Sequence, residues 1–276
     1  MTEALKYLSR PRFNNPALVV CWESDAGQLG EKVTEYLVHE LNGKEFCEIN
    51  LEEFFPLGGV VIEKDIVLFP QSSFYAIPDC DIVVLHSSIP RYEWFRFLNL
   101  IVDVAQETCN AREMYTIGGM VAMSAHTAPR DFWATFSSPQ MKISLAAYQL
   151  SREMDYETPP GGRPTLNSFL LWTAKQRGLH GANLWVPVPF YLVDGDDPVA
   201  QKTVLEFLDN RLNLRLNFAR IDTEIIRQYE RLARLRQEQP EIDRSIKKLE
   251  GNLELTETEN ETLVKEVEEY LGKDGG

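Results

Sequence analysis

Three stretches of the chain hold residues of the kinds that do chemistry. The first, Asp25-Ala26-Gly27-Gln28-Leu29-Gly30, sits between an apolar run and an amphipathic one. It keeps the last two glycines of the G-x-G-x-x-G dinucleotide fingerprint, whose glycines let backbone N–H groups close on a pyrophosphate at a helix N-terminus. The first glycine is replaced by Asp25, and a carboxylate there repels the phosphate that the helix end attracts. The role left to the turn is local, with Asp25 capping free N–H groups of the helix and Gly27 and Gly30 letting strand and helix pack closely. The second stretch, Glu157-Thr158-Pro159-Pro160-Gly161-Gly162-Arg163-Pro164, places two glycines and a cation before a helix. Such a loop could offer Gly161, Gly162 and Arg163 to an anion, or serve as a plain connector; it lacks the Lys-Ser/Thr ending of a Walker motif. The third is Ser124, His126 and Asp131, the side-chain types of a hydrolase triad but without the G-x-S-x-G context that exposes a nucleophile. His39, His86, His126 and His180 are scattered, no HExxH occurs, and Cys21, Cys47, Cys80 and Cys109 form no CxxC pair. These residues assign no catalytic group, no metal site and no cofactor, and the cysteines read as reduced structural thiols.

The elements that would position these residues alternate. Ala17 to Trp22 is a continuous apolar run that reads as a buried strand, followed by the Asp25 turn and a helix with Ser24 or Asp25 as its N-cap and Gly43 just past its end. Further strands are expected at Glu45–Asn50, Val60–Ile62, Ile66–Phe69, Phe74–Ile77 and Asp81–His86, the last rich in β-branched residues and suited to the sheet centre. Pro90 can occupy an early helical position before Trp94, Phe95, Leu98, Ile101, Val102 and Ala105, which recur at helical spacing. Met114–Met120 and Phe132–Phe136 are strands, and Met141–Tyr148 is open between helix and strand. Thr165 starts a helix with Phe169, Leu170 and Trp172 inward. Ala182–Tyr191 is a strand whose prolines place it at an edge or a strand end, and Asp197-Pro198 starts another helix. The aromatic residues Trp94, Phe95, Phe97, Trp133 and Trp172 read as core and interface material rather than a base-stacking platform. This pattern predicts an α/β fold, a parallel or mixed sheet covered by helices on both faces, over residues 1–210. From Arg211 strand signals vanish. Residues 211–276 read as a C-terminal helical extension, broken at Pro240, whose stripes Ile221, Ile225, Tyr229, Leu232 and Ile242, Ile246, Leu249, Leu253 need a neighbouring helix, the core or another subunit to cover them.

A formal charge of −14 opposes a nucleic-acid partner, which requires a clustered basic face. Met1 to Arg10 lacks the apolar core of a signal peptide and no apolar run reaches membrane-spanning length, so the expected compartment is the cytoplasm, with no membrane contact.

The stretch Trp22-Glu23-Ser24-Asp25-Ala26-Gly27-Gln28-Leu29-Gly30 resembles the opening signature of the proteasome assembly chaperone 2 family. Gly118-Gly119-Met120, the glycine loop before Asn167-Ser168-Phe169-Leu170, and Leu179 to Pro189 after Gly178 agree with it, over roughly residues 16–210. The resemblance implies a phosphorylase/hydrolase-like α/β fold, homo-oligomers, and a non-catalytic role in protein binding and assembly, with proteasome α-subunits as the partners. Chaperone-type relatives reach those subunits through a C-terminal hydrophobic-tyrosine-any-residue tail. Here Glu269-Tyr270-Leu271 puts an acid at the hydrophobic position and five residues follow, so that mode of docking is not expected. The alternative is an enzyme acting on a small phosphorylated or nucleoside-like substrate, which the fold alone suggests.

Overall fold

The computed structural model describes residues 4–55, 61–63, 65–148, 150, 157, 161–162 and 164–272, with the side chains of Val61 and Glu63 left aside. In chain order the strands are β1 (Leu5–Tyr7), β2 (Ala17–Trp22), β3 (Lys44–Ile49), β4 (Val61–Glu63), β5 (Ile66–Leu68), β6 (Ser72–Ile77), β7 (Ile82–Ser87), β8 (Glu113–Ala122), β9 (Trp133–Phe136) and β10 (His180–Pro189). The helices are α1 (Leu29–Glu40), α2 (Trp94–Asp103), α3 (Pro139–Ser144), α4 (Leu166–Gln176), α5 (Pro198–Leu212), α6 (Ala219–Glu238), α7 (Pro240–Glu250) and α8 (Glu257–Gly272).

Eight strands form one mixed sheet in the order β1-β3-β6-β7-β2-β8-β10-β9. Its centre, β7-β2-β8-β10, is parallel, and the flanking pairs are antiparallel. β2 is apolar throughout because both of its faces are buried. Ala17, Val19 and Cys21 face a layer built by α1, α5 and the C-terminal helices, while Leu18, Val20 and Trp22 face α2 and α4. β4 and β5 form a separate two-stranded ribbon between β3 and β6.

Several local expectations change. Met141–Tyr148 is helical, as α3 and a following 3-10 turn, with Ser138 accepting from the Met141 N–H. Pro90 lies ahead of α2 rather than in its first turn, because the N–H groups of Arg91 and Tyr92 both donate to the Phe54 carbonyl and hold that segment out of the helix. Trp172 is exposed, not inward, since Leu170, Leu171 and Ala174 already fill the face of α4 that meets the sheet. The prolines of β10 sit at a strand end. Pro187 and Pro189 lie beyond Trp185, the last residue paired with β9, so their missing N–H groups cost no bond on that side.

The helices beyond residue 210 pack on α5, on one another and on the turn Phe190–Leu192 that follows β10. Ile221, Leu232, Leu235, Ile242, Ile246, Leu249, Leu263 and Val267 are buried in the same apolar layer as Val204 and Leu208 of α5, whereas Leu253 is exposed. Pro240 opens α7 directly after α6, as its fixed φ favours at a first helical position.

Candidate functional site

In open α/β sheets ligands bind beyond the carboxyl ends of the parallel strands, where the connections diverge to opposite sides. The Asp25 turn occupies that position, after β2 and beside the end of β8. Its carboxylate accepts from the Gly30 N–H at 3.0 Å and from the Gly119 N–H at 2.8 Å. Gly30 is in the first turn of α1 and Gly119 is in β8, so one side chain ties helix and strand together across 94 residues of sequence. Asp25 is not the N-cap of α1 in the usual sense: that position is Gln28, with φ of 48°, and the carboxylate reaches Gly30 from five residues upstream. Burial pushes the Asp25 carboxyl up to about 6, against the lowering effect of the Gly30 and Gly119 N–H groups.

The glycines explain how the turn closes. A Cβ on Gly119 would stand 2.0 Å from the Ala26 carbonyl oxygen, and one on Gly30 would stand 2.5 Å from the Trp22 carbonyl oxygen. Gly27 adopts φ of 71°, and its N–H donates to the Val193 carbonyl at 2.8 Å. The N–H groups that a dinucleotide-binding turn offers to phosphate are thus engaged by the chain's own oxygens. Around the turn the polar groups are also paired: the Trp22 Nε1–H donates to Asn167 Oδ1 at 2.5 Å, and the Ser88 hydroxyl donates to Glu23.

A second polar cluster lies at the end of β10. Asp197 is fully buried; Oδ1 accepts the Val199 and Ala200 N–H groups at 3.1 Å each, and Oδ2 accepts from Arg130 Nε at 2.9 Å. Arg130 further donates to the carbonyls of Ala128 and His126. His126 Nδ1 pairs with the Tyr191 hydroxyl at 2.8 Å, and the same hydroxyl accepts the His126 N–H at 2.6 Å. Burial, helped by the charge of Arg236, lowers His126 to about 4. The triad candidate is therefore not assembled: His126 bonds Tyr191, Asp131 is exposed, and neither it nor Ser124 is a partner of the ring. Asp197, Arg130 and Tyr191 were not singled out from sequence as a cluster, and only the Asp197-Pro198 helix start signalled any of them.

Of the glycine loop, Glu157, Gly161, Gly162 and Pro164 are among the described residues. Gly161 adopts φ of 78° with nothing within 4 Å of a Cβ position, Gly162 is exposed, and Arg163 lies outside the described residues. Thr165 caps α4, its hydroxyl accepting from the Ser168 N–H at 3.2 Å. Among the described residues no three His, Cys, Asp or Glu side chains gather as a metal-ligand group, and no helix is long and apolar enough to cross a membrane. Burial raises Cys21, Cys47 and Cys109 to about 12.

Large apolar side chains concentrate elsewhere. Phe97 is buried and Trp94 and Trp133 are half-buried, but Phe95 and Trp172 are exposed and form tilted ring contacts with each other and with Phe169 at centroid separations of 5.6 to 6.4 Å. The ribbon exposes Ile62, Ile66, Val67 and Leu68, with Phe69 just after it. Glu269-Tyr270-Leu271 is inside α8, and the carbonyls of Tyr270 and Leu271 accept from Arg231 Nη2 at 2.7 and 3.0 Å, so the tripeptide is not a free tail.

The model of the PAC2 family matches residues 24–239. A Methanocaldococcus jannaschii protein, described as uncharacterized protein MJ1210, is 28% identical over 201 residues, which cover 71% of this chain and 74% of that one. Among solved structures, the Mycobacterium tuberculosis protein of unknown function Rv2714 aligns with a TM-score of 0.77 at 18% identity, over 91% of this chain and 89% of that one. PbaB of Pyrococcus furiosus, described as an archaeal proteasome activator, aligns with a TM-score of 0.66 at 23% identity, over 84% of this chain and 97% of that one.

Proposed function

The chain belongs to the PAC2 family, and on that premise we propose that it is a non-catalytic protein-binding factor that assists the assembly of other proteins. The observation that carries this reading is the closed turn at the carboxyl end of the sheet. Asp25 takes the N–H groups of Gly30 and Gly119, and the Ala26 carbonyl fills the space beside Gly119, where an enzyme of this architecture would hold its ligand. What the chain presents outward instead is apolar surface, and exposed apolar patches mark protein contacts.

The finer parts of the proposal are a homo-oligomer in the cytoplasm whose partners are proteasome core subunits, the α-subunits first among them. The description of PbaB as a proteasome activator supports that choice of partner. Because Tyr270 is folded into α8, contact is expected through the outer faces of the helices and the sheet edges rather than through an inserted tail. Capture of the tagged full-length protein from its native lysate, followed by mass spectrometry, tests the reading. Recovery of proteasome α-subunits supports it. Recovery of a metabolic enzyme alone, together with strong thermal stabilisation by nucleotides or phosphate, would replace it with the enzyme alternative.

A further inference from the structure

Residues 123–130 connect β8 toward β9 and carry His126, which is only 4% exposed. Its ring lies between two tyrosines from different elements: Tyr191, in the turn after β10, at a centroid distance of 6.1 Å, and Tyr229, on α6, at 5.8 Å. The Tyr191 hydroxyl accepts the His126 N–H at 2.6 Å and keeps one proton to give. Giving it to Nδ1, 2.8 Å away, completes both groups and uses the lone pair of a neutral imidazole. The ties from the loop to the helices are longer. The Tyr229 hydroxyl donates to the His126 carbonyl at 3.4 Å, and Thr127 Oγ1 donates to Glu250 of α7 at 3.3 Å. Bonds of that length are weak, so the segment is held on α6 and α7 chiefly by the His126 ring and its bond to Tyr191.

We propose that His126 makes this segment a pH-sensitive clasp, which holds the loop on α6 and α7 near neutrality and opens as the medium turns acid. A proton on Nδ1 turns an acceptor into a donor, so the Tyr191 hydroxyl loses the partner for its own proton. The new charge is also poorly received. From the loop itself Arg130 faces the ring, paired with Asp197; from α6 comes Arg236, paired with Glu250 and Asp243 of α7, the latter shared with Lys247. Each of these carboxylates already has its cation, and the two tyrosines complete the titratable groups around the ring. Burial, with the charge of Arg236, keeps the folded ring neutral down to about 4, against 6.5 for a free imidazole. The sign follows: a state that frees the ring binds the proton more tightly, so its population grows about tenfold for each unit by which pH falls between those two values. A cleft of 570 Å³ beside the ring, lined by Thr127, Tyr229, Ala233, Arg236 and Asp243 among others, gives solvent a path to it.

Amide hydrogen exchange of residues 120–132 in the full-length chain, scaled to the intrinsic rate at each pH, tests the clasp. Wild type and His126→Phe are compared at pH 7 and pH 5, with His126→Asn as the second variant where the first does not unfold cooperatively. The loop amides of the wild type are expected to exchange faster than those of β2 at both pH values, and to lose about twentyfold in protection between them, as titration at 6.5 and about 4 requires. The variant, with no imidazole to protonate, is expected to lack that loss. A wild type whose loop protection changes no more than the variant's would overturn the role of His126. Loop amides that exchange no faster than those of β2 would overturn the clasp by making its opening part of global unfolding. NMR titration of the wild-type ring needs no variant: an imidazole that takes its proton near 6.5 in the folded protein would overturn the proposal as well.

Discussion

Replacing Asp25 by alanine should destabilise the fold by an amount that depends on pH in an unusual direction. The substitution leaves the Gly30 and Gly119 N–H groups without their acceptor, at about 1–2 kcal/mol for each unsatisfied donor, or about 2–4 kcal/mol together. Against that stands the cost of holding a carboxylate in a buried place. The carboxyl titrates at about 6 in the fold against 3.8 for the free group, a difference worth about 3 kcal/mol at about 1.4 kcal/mol per unit. The sign follows from proton counting. Between pH 4 and 6 the folded state holds the Asp25 proton more tightly than the unfolded chain, so wild-type stability falls as pH rises through this window. The alanine variant has no such term. The wild type should therefore exceed Asp25→Ala by about 1–3 kcal/mol near pH 4.5, where about 1 kcal/mol of the difference is already lost, and the gap should shrink to within about 1 kcal/mol of zero at pH 7.5. Urea unfolding of both proteins at pH 4.5, 6.0 and 7.5 measures this directly, because every other titrating group is common to the two. A gap that is constant with pH, or that widens toward pH 7.5, would show that the fold does not disfavour the Asp25 carboxylate and would refute the argument from burial.

Gly119→Ala should destabilise by more than about 4 kcal/mol, since its Cβ would meet the Ala26 carbonyl oxygen at 2.0 Å. Gly161→Ala, with open space but φ of 78°, should cost only about 1 kcal/mol; equal melting temperatures for the two variants would contradict the close approach of turn and strand. Arg130→Met should cost about 3–5 kcal/mol by stranding the buried Asp197 carboxylate, and urea midpoints no lower than those of an exposed control such as Arg244→Met would show that the pair is not needed. Truncation after Asn210 tests whether residues 211–276 form a separable extension. The shortened chain is expected to unfold cooperatively at a lower temperature, because Ile221, Leu232 and Ile246 leave the apolar layer. A molten product would make those helices part of the core.

Much of the fold was legible in local sequence because its signals are local. The unbroken apolar runs of β2 and β7 announce strands buried on both faces, Thr165 and Asp197-Pro198 announce helix starts, and Asp25 in place of a glycine argues against a pyrophosphate from charge alone. What acts on these residues from a distance was not legible. The second acceptor bond of Asp25 comes from Gly119, 94 residues away; His126 is paired by Tyr191 and Arg130 by Asp197, 65 and 67 residues away. Periodicity marks which side of an element is apolar, but a wide apolar stripe such as that of α4 does not say which of its members meets the sheet: the pattern turns Trp172 inward, whereas Leu170, Leu171 and Ala174 fill that place. Sequence determined the kinds of elements and the charge of the turn, because propensity, capping and burial act over a few residues. The tertiary structure alone decided the strand order, the closing of the turn against β8 and the aromatic surface on α2 and α4, because these depend on which distant segments pack together, and no local pattern encodes that pairing.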